Sequence, residues 1–334
     1  MNIPGVTQPA GVRFAGVGTA IPQRVLTNSD LAKIVDTNDA WISKRTGIKT
    51  RHMAADGETT RDLASQALAS ALDDAGMAGS DLDMVLVATM TPEMNCPSTA
   101  VRVAATVGAT PAGAMDLSAA CTGFVYGINH AAALIQTGHY RNVAVIGAET
   151  LSSVVNYNDR RTCILFGDAA GAAILTASDN PAQGCLYQTM RADGNRWDDI
   201  YVPRHERDIS PDNGYSGQLN TMQMNGQEVF KFAVTQTQSI IDETLEKTGV
   251  TPDQLAAVFA HQSNKRILDL LQKRLDLPDG KLVVNIQKYG NTSAASVPLC
   301  LHEKLARKEL REGDLVLFVA MGAGMSWASS LWRM

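Results

Sequence analysis

Three residues of this chain have the types and settings for acyl chemistry. Cys121 follows a strand-like run over 114–118 and opens an apolar helix pattern, so its sulfur is expected at a helix N-terminus. Unpaired backbone N–H groups and the positive end of the helix dipole favour an anion there, lowering a thiol from its free pKa of about 8.5. Ser118, Ala119, Ala120 and Gly123 are small enough to admit a carbonyl beside it. His261 ends an apolar run and is followed by the polar residues Gln262, Ser263 and Asn264; in α/β sheets the C-terminal ends of strands are where ligand-binding groups emerge. Asn291 follows Gly290 in a loop before another helix pattern. A thiol, an imidazole and a carboxamide at element ends fit nucleophilic acyl transfer. Taken singly, a buried inert cysteine, a hydrogen-bonded histidine and a capping asparagine account for the same residues.

The elements that must position these groups are visible as an alternation. Apolar runs suited to buried strands cover 12–17, 84–88, 142–147, 163–176, 257–260, 282–284 and 315–321. Between them, Phe124, Ile128, Ala131 and Ile135 at helical spacing predict a helix over 121–137 that stops at Gly138. The alternation is that of an α/β chain with sheets covered on both faces. Residues 179–184 and 193–217, rich in Gly, Pro, Asn and Asp, are expected to be loops.

The pattern also repeats. Leu68, Leu72, Gly76, Leu82 and Val85 recur as Ile241, Leu245, Gly249, Leu255 and Val258, a helix, turn and strand in the same spacing. The runs beginning at Asn142 and Asp314 match as well, at an offset smaller by one. Two similar halves are expected, 1–176 carrying the cysteine and 177–334 carrying the histidine and asparagine. On that alignment Ser293 corresponds to Cys121, and the nucleophile turn faces the Asn291 loop across a pseudo-dyad.

Composition narrows the class. With 45% hydrophobic and 19% charged residues over 334 positions, the chain is globular and long enough for a substantial core. A net charge of −5 and a pI near 5.7 argue against nucleic-acid binding, and any partner read by charge needs a local basic patch. The cysteines (Cys96, Cys121, Cys163, Cys185, Cys300) are odd in number and form no Cys-x-x-Cys pair, so no metal or thiol-redox motif is read and a reduced, cytoplasmic chain is expected. No apolar run approaches the ~18 residues of a membrane span, and residues 1–10 lack the charged start and apolar stretch of a secretion signal.

Six strings carry a family resemblance: WISKRTGI over 41–48, AACTGF over 119–124, FGDAAGAA over 166–173, GQEVFK over 226–231, HQSN over 261–264 and GNTSAASVP over 290–298. In this order, and across 12–333, the chain resembles the β-ketoacyl-acyl-carrier-protein synthase III family. The resemblance implies a thiolase-like fold, two similar halves stacked in α-β-α-β-α layers, in a homodimer. It implies decarboxylative condensation of a short acyl-CoA with malonyl-acyl carrier protein, starting type II fatty-acid synthesis with no cofactor beyond the CoA thioester. Cys121 would carry the acyl group, His261 and Asn291 would stabilise the malonyl-derived enolate, and the N–H groups of Cys121 and Ala323 would form an oxyanion hole.

The same resemblance implies a CoA site at Trp41, Arg45, Arg160, Gly226 and Asn264, and an acyl pocket at Leu151, Phe166, Ile200, Met222 and Met321 with Cys96 reaching in from a second subunit. It departs from the family pattern at Gln227, where Asn is usual, at Arg161, where glycine is usual, and at Ala323, within a run that is usually all glycine. A methyl at 323 narrows the site only if that position needs positive φ. An acidic carrier protein calls for a basic patch, and Arg266, Lys273 and Lys231 are its expected members. The alternatives are a homologous secondary-metabolite condensing enzyme or acyltransferase with another acceptor, and a non-catalytic acyl-CoA-binding subunit. The presence of all three of Cys121, His261 and Asn291 speaks against the last.

Overall fold

The apolar runs become strands because both faces of each sheet are covered. The computed structural model describes residues 11–210 and 218–334; residues 1–10, read above for a leader, and the end of the expected loop 193–217 lie outside the described residues. A five-stranded sheet has the order Gly11–Ala20, Ala169–Ser178, Asn142–Glu149, Met84–Ala88, Gly113–Leu117. A four-stranded sheet has the order Gly184–Ala192, Ser326–Arg333, Leu315–Gly322, Leu255–Ala260. Within them Met84–Ala88 runs parallel to both its neighbours and Leu255–Ala260 parallel to Leu315–Gly322; the remaining pairs are antiparallel.

Register fixes how the halves correspond. Val85 pairs with Ala144 in the first sheet and Val258 with Leu317 in the second, so both strands of the pair are displaced by the same number of residues. The one-residue discrepancy expected for the run at Asp314 therefore disappears. In this register Ser293 matches Ala120 and the counterpart of Cys121 is Ala294, which corrects the expected Ser293–Cys121 correspondence. The fifth strand of the first sheet, Gly113–Leu117, has as its counterpart a single bridge between Leu282 and Val258. The expected strand 282–284 is reduced to that bridge, because the chain turns at once into the short helix Ile286–Tyr289.

Two further expectations change. Residues 163–168 do not join the strand that begins at Ala169. Their polar backbone atoms serve other partners: Leu165 O accepts from the Asn291 N–H at 2.8 Å, the Gly167 N–H donates to Asn291 O at 3.0 Å, and Ile164 O accepts from the buried Arg51 guanidinium at 2.6 Å. Conversely, Ser326–Arg333 is a central strand without an apolar run. Its buried serines are satisfied by side chains, Ser329 by Thr244 and Ser330 by the Trp332 indole, both at 2.6 Å, so polar residues sit in the core without an unpaired hydroxyl.

Helices complete five layers, α-β-α-β-α. Thr60–Ala75 and Thr99–Thr106 cover the outer face of the first sheet, Gly226–Thr248 and Lys265–Arg274 that of the second, and Gly123–Gln136 and Ser296–Ala306 lie between the sheets. The central layer joins Phe124, Ile128, Ile135, Val297 and Leu301 to Phe259, Phe318 and Trp332, all fully buried. Cutting such a Phe to Ala costs about 3–5 kcal/mol, so this layer holds the two halves in fixed relation. Close approach is needed at the start of the first central helix, where a Cβ on Gly123 would stand 2.6 Å from that of Ala88.

Candidate active site

Cys121 precedes the helix rather than opening it. It sits in a 3₁₀ turn, Ala120–Thr122, that feeds the helix Gly123–Gln136. Ala120 holds φ at +45°, a left-handed conformation that bends the chain sharply after the strand Gly113–Leu117. Thr122 pins the turn, donating its N–H and its hydroxyl to Ala119 O at 3.1 and 2.6 Å, and its hydroxyl lies 2.9 Å from that of Ser326. Gly322 backs the nucleophile: a Cβ there would stand 2.9 Å from the Cys121 nitrogen and 3.0 Å from that of Thr122. The left-handed position of this second turn is Gly324, at +82°, and not Ala323, so the alanine is unstrained and its departure from the all-glycine run costs the backbone nothing.

Against the lowering expected from the helix dipole stands desolvation of the thiol. Burial pushes the Cys121 thiol up to about 12; a hydrogen bond with the Ser293 hydroxyl pulls the other way, and the nearby Glu149 charge pushes it further up. Enclosure of the sulfur thus works against the helix dipole.

His261 follows the strand Leu255–Ala260 and is 5% exposed. Its Nδ1 lies 2.7 Å from Ser296 Oγ, and that oxygen also accepts the Gln262 N–H at 3.3 Å. When the Ser296 hydroxyl donates to Nδ1, the ring proton sits on Nε2. Burial drives the imidazole pKa down to about 3, so the ring is a neutral donor. Asn291 accepts the Ser293 N–H on Oδ1 at 2.9 Å, which settles the carboxamide orientation and leaves its NH₂ for the cavity.

Cys121, His261 and Asn291 converge on one chamber of about 120 Å³, which Phe166, Ile200, Met321 and Ala323 also line. From it a cleft of about 790 Å³ leads outward past Gly226 and Asn264 to Trp41, Arg45 and Arg160, with Gln227 and Arg161 on its wall. Trp41 is flanked by two guanidiniums, Arg45 at 5.1 Å and Arg160 at 5.5 Å from the ring centroid. Arg161 is held by both oxygens of Asp159, and Asn264 donates to Arg45 O at 3.2 Å. On the far side of Cys121 a second cavity, about 460 Å³, is lined by Leu151, Phe166, Ile200, Met222 and Ala323.

Not every expected residue joins its group. Met321 faces the chamber and not the far cavity, and Cys96, expected at a second subunit's pocket, is exposed. Arg266, Lys273 and Lys231 are all exposed; Arg266 stands over Phe230 at the cleft mouth, at 5.2 Å. Sequence reasoning missed Glu149, Ser296 and Gly322. Their contacts span the two halves or successive strands, and no local pattern marks them. Among the described residues no group of three or more acidic, His or Cys side chains is placed to hold a metal ion.

Known proteins share this fold and much of this sequence. Models described as 3-oxoacyl-[acyl-carrier-protein] synthase III and as its C-terminal part match residues 115–194 and 245–334. The β-ketoacyl-[acyl-carrier-protein] synthase III of Caldanaerobacter subterraneus subsp. tengcongensis is 47% identical over 95% of this chain and 96% of its own. The crystal structure of the Aquifex aeolicus VF5 3-oxoacyl-[acyl-carrier-protein] synthase III superposes with a TM-score of 0.90 at 43% identity, covering 97% of this chain and all of that one. The priming β-ketosynthase of the R1128 polyketide biosynthetic pathway superposes equally well, TM-score 0.90, at 32% identity over the whole chain and 98% of its own. With near-full-length identity well above what chance allows, and the thiol, imidazole and carboxamide gathered at one chamber, the chain belongs to the 3-oxoacyl-[acyl-carrier-protein] synthase III family.

Proposed function

We propose that this enzyme is an acyltransferase that condenses an acyl-CoA with malonyl-acyl carrier protein, releasing CO₂ and CoA and giving the 3-oxoacyl-carrier that starts fatty-acid synthesis. The observation that carries the reading is the position of Cys121, between a cleft lined by arginines and Trp41 and a cavity where Leu151, Phe166 and Met222 stand beside polar residues that include Arg204 and Asn220. The cleft suits a phosphate-bearing nucleotide arm, the Leu151, Phe166 and Met222 side of the cavity an acyl chain, and the sulfur lies between them. Attack by sulfur places an oxyanion near the N–H groups of Cys121 and Ala323. In the second half-reaction, decarboxylation leaves an enolate whose oxygen is met by His261 Nε2–H and the Asn291 NH₂. Both are neutral donors, so the charge is stabilised without a competing proton transfer.

Its substrates are thus acyl-CoA and malonyl-carrier, and it works without a cofactor, in the cytoplasm and as a homodimer. Support for the dimer comes from the outer strand Gly113–Leu117, an unpaired edge with Met115 exposed, beside Val101, Met94 and Cys96. Such an edge is ordinarily covered, and a second copy there would bring Cys96 towards the partner's acyl cavity. Among the described residues no helix is long and apolar enough to cross a membrane. The far cavity, roomier than an acetyl group needs, supports a second reading as a condensing enzyme of secondary metabolism with a longer primer. A panel of acyl-CoAs assayed against malonyl-carrier, with the ketoacyl-carrier detected by mass, tests both. No product with any primer overturns the condensation, and product with long primers alone favours the second reading.

A further inference from the structure

Arg51 lies in the strand Thr50–Met53, is fully buried, and has no carboxylate partner among the described residues. Its Nη1 donates to Asn28 Oδ1 at 2.9 Å and to Leu26 O at 3.3 Å, its Nη2 donates to Ile164 O at 2.6 Å, and its Nε has no partner. Burial pulls the guanidinium down to about 10, so at neutral pH it is still a cation, answered by carbonyl oxygens alone. A buried charge without a counter-charge is costly, and an apolar side chain of similar size is often the more stable choice. An arrangement with that cost calls for a use beyond holding the fold together.

What the side chain holds leads to Asn291. Ile164 belongs to the stretch 163–168, which clamps both backbone groups of Asn291 through Leu165 O at 2.8 Å and the Gly167 N–H at 3.0 Å. The other end of that stretch is tied to the same strand, the Asp168 N–H donating to His52 O at 2.9 Å. Thr50 Oγ1 donates to Lys288 O at 2.8 Å, in the helix Ile286–Tyr289 that leads into Asn291. Arg51 fills the space between the two: a Cβ on Gly167 would stand 3.0 Å from the Arg51 Cβ, and one on Gly290, at φ +69°, 3.3 Å from it. We infer that Arg51, acting through Ile164 and the stretch 163–168, sets the place of the Asn291 carboxamide for decarboxylation. This rests on the condensation reading above. Arg51 lines neither the chamber, the cleft nor the far cavity, and it is a positioning residue.

The two half-reactions depend on this anchor unequally. The Cys121 turn is held by other groups, Thr122 with Ala119 O and Ser326, and the Gly322 backbone behind it. Loosening 163–168 therefore displaces the carboxamide and leaves the nucleophile turn in place. A reacting group misplaced by about 1 Å can cost on the order of a hundredfold in rate. A guanidinium suits the task because its planar fork keeps Ile164 O and Asn28 Oδ1 at a fixed spacing, which the single flexible amine of a lysine does not.

The test compares single-turnover acylation by acetyl-CoA, followed by intact mass, with CO₂ release from malonyl-carrier counted per site that can be acylated. Acetyl-CoA is the donor because Phe166 lies in the same stretch and lines the far cavity, where a longer chain would feel its displacement. Arg51→Met should acylate within about threefold of the parent and release CO₂ roughly ten- to a hundredfold more slowly, in kcat rather than in the Michaelis constant. Arg51→Lys, which keeps a donor but not the fork, should fall between. Adding Arg51→Met to Asn291→Ala should slow CO₂ release no further, since the group it positions is gone. CoA affinity by calorimetry reports folding; if Arg51→Met does not fold, Arg51→Lys decides by the same comparison. Equal losses in the two half-reactions, CO₂ release at the parent rate, or a further loss on the Asn291→Ala background shows an arginine that only supports the fold and overturns the inference. A parent that acylates but releases no CO₂ from malonyl-carrier overturns the condensation reading itself, and the inference with it.

Discussion

Ala120 and Ser293 occupy the same place in the two halves of the molecule and share the same unusual backbone, φ of +45° and +49°. Each begins a 3₁₀ turn that runs into a central helix, Gly123–Gln136 in one half and Ser296–Ala306 in the other. One turn presents the Cys121 sulfur and the other the Ser293 side chain to the same cavity, so the duplicated bend brings the nucleophile against the half that holds His261 and Asn291.

The bend is open to a direct trial. A β-branched residue fits the left-handed region poorly, at a cost of about 1–2 kcal/mol. Ala120→Val should lower the thermal midpoint and slow acylation, whereas Ala120→Gly, free of that strain, should do neither. Equal effects of the two substitutions would show that the turn is not held by φ.

Acylation should be confined to one sulfur. Cys163 and Cys300 are buried, Cys185 is half-buried, and of the five cysteines Cys121 alone lines the chamber with His261 and Asn291. Incubation with acetyl-CoA alone should add one acetyl group, and peptide mapping should place it on Cys121. An adduct on exposed Cys96, or on none, removes Cys121 from its role.

The second half-reaction should separate from the first. Asn291→Ala and His261→Ala, whose parent side chains the proposed reaction sets against the enolate, should retain more acylation than malonyl decarboxylation. Equal losses in the two half-reactions would contradict this division of labour.

His261 also sets a sign for pH dependence. Its pKa is about 3 in the folded chain against an ordinary value of 6.5, so its contribution to stability is fully present above 6.5 and is lost as pH falls from there towards 3. The parent should lose thermal stability between pH 6.5 and 4 more steeply than His261→Gln, and decarboxylation should show no acid limb near 6.5. Parallel melting curves for the two proteins would mean that the imidazole charges freely in the folded state.

Arg266 tests the carrier surface. On a merely solvated helix face its loss would be nearly silent. Arg266→Glu should raise the Michaelis constant for malonyl-carrier at low salt, leave acyl-CoA acylation nearly unchanged, and approach the parent as salt screens the repulsion. An unaltered carrier dependence at low salt places the docking surface elsewhere.

Sequence alone determined the alternation of elements, the repeat, and Cys121, His261 and Asn291, because apolar periodicity and element ends are local properties. The central helix could be read from Phe124, Ile128, Ala131 and Ile135, since a buried stripe must recur at helical spacing. Only the tertiary structure decided that residues 163–168 leave the strand to hold the Asn291 loop, that Ser326–Arg333 is a core strand despite its serines, and that Glu149 lies behind the thiol. In each case the deciding partner comes from a distant segment, and no spacing within the segment encodes it. The state of Cys121 shows the limit most plainly. A place near a helix start argues for a thiolate, but burial by groups from both halves pushes the thiol up to about 12, because the desolvation of a sulfur depends on everything packed around it.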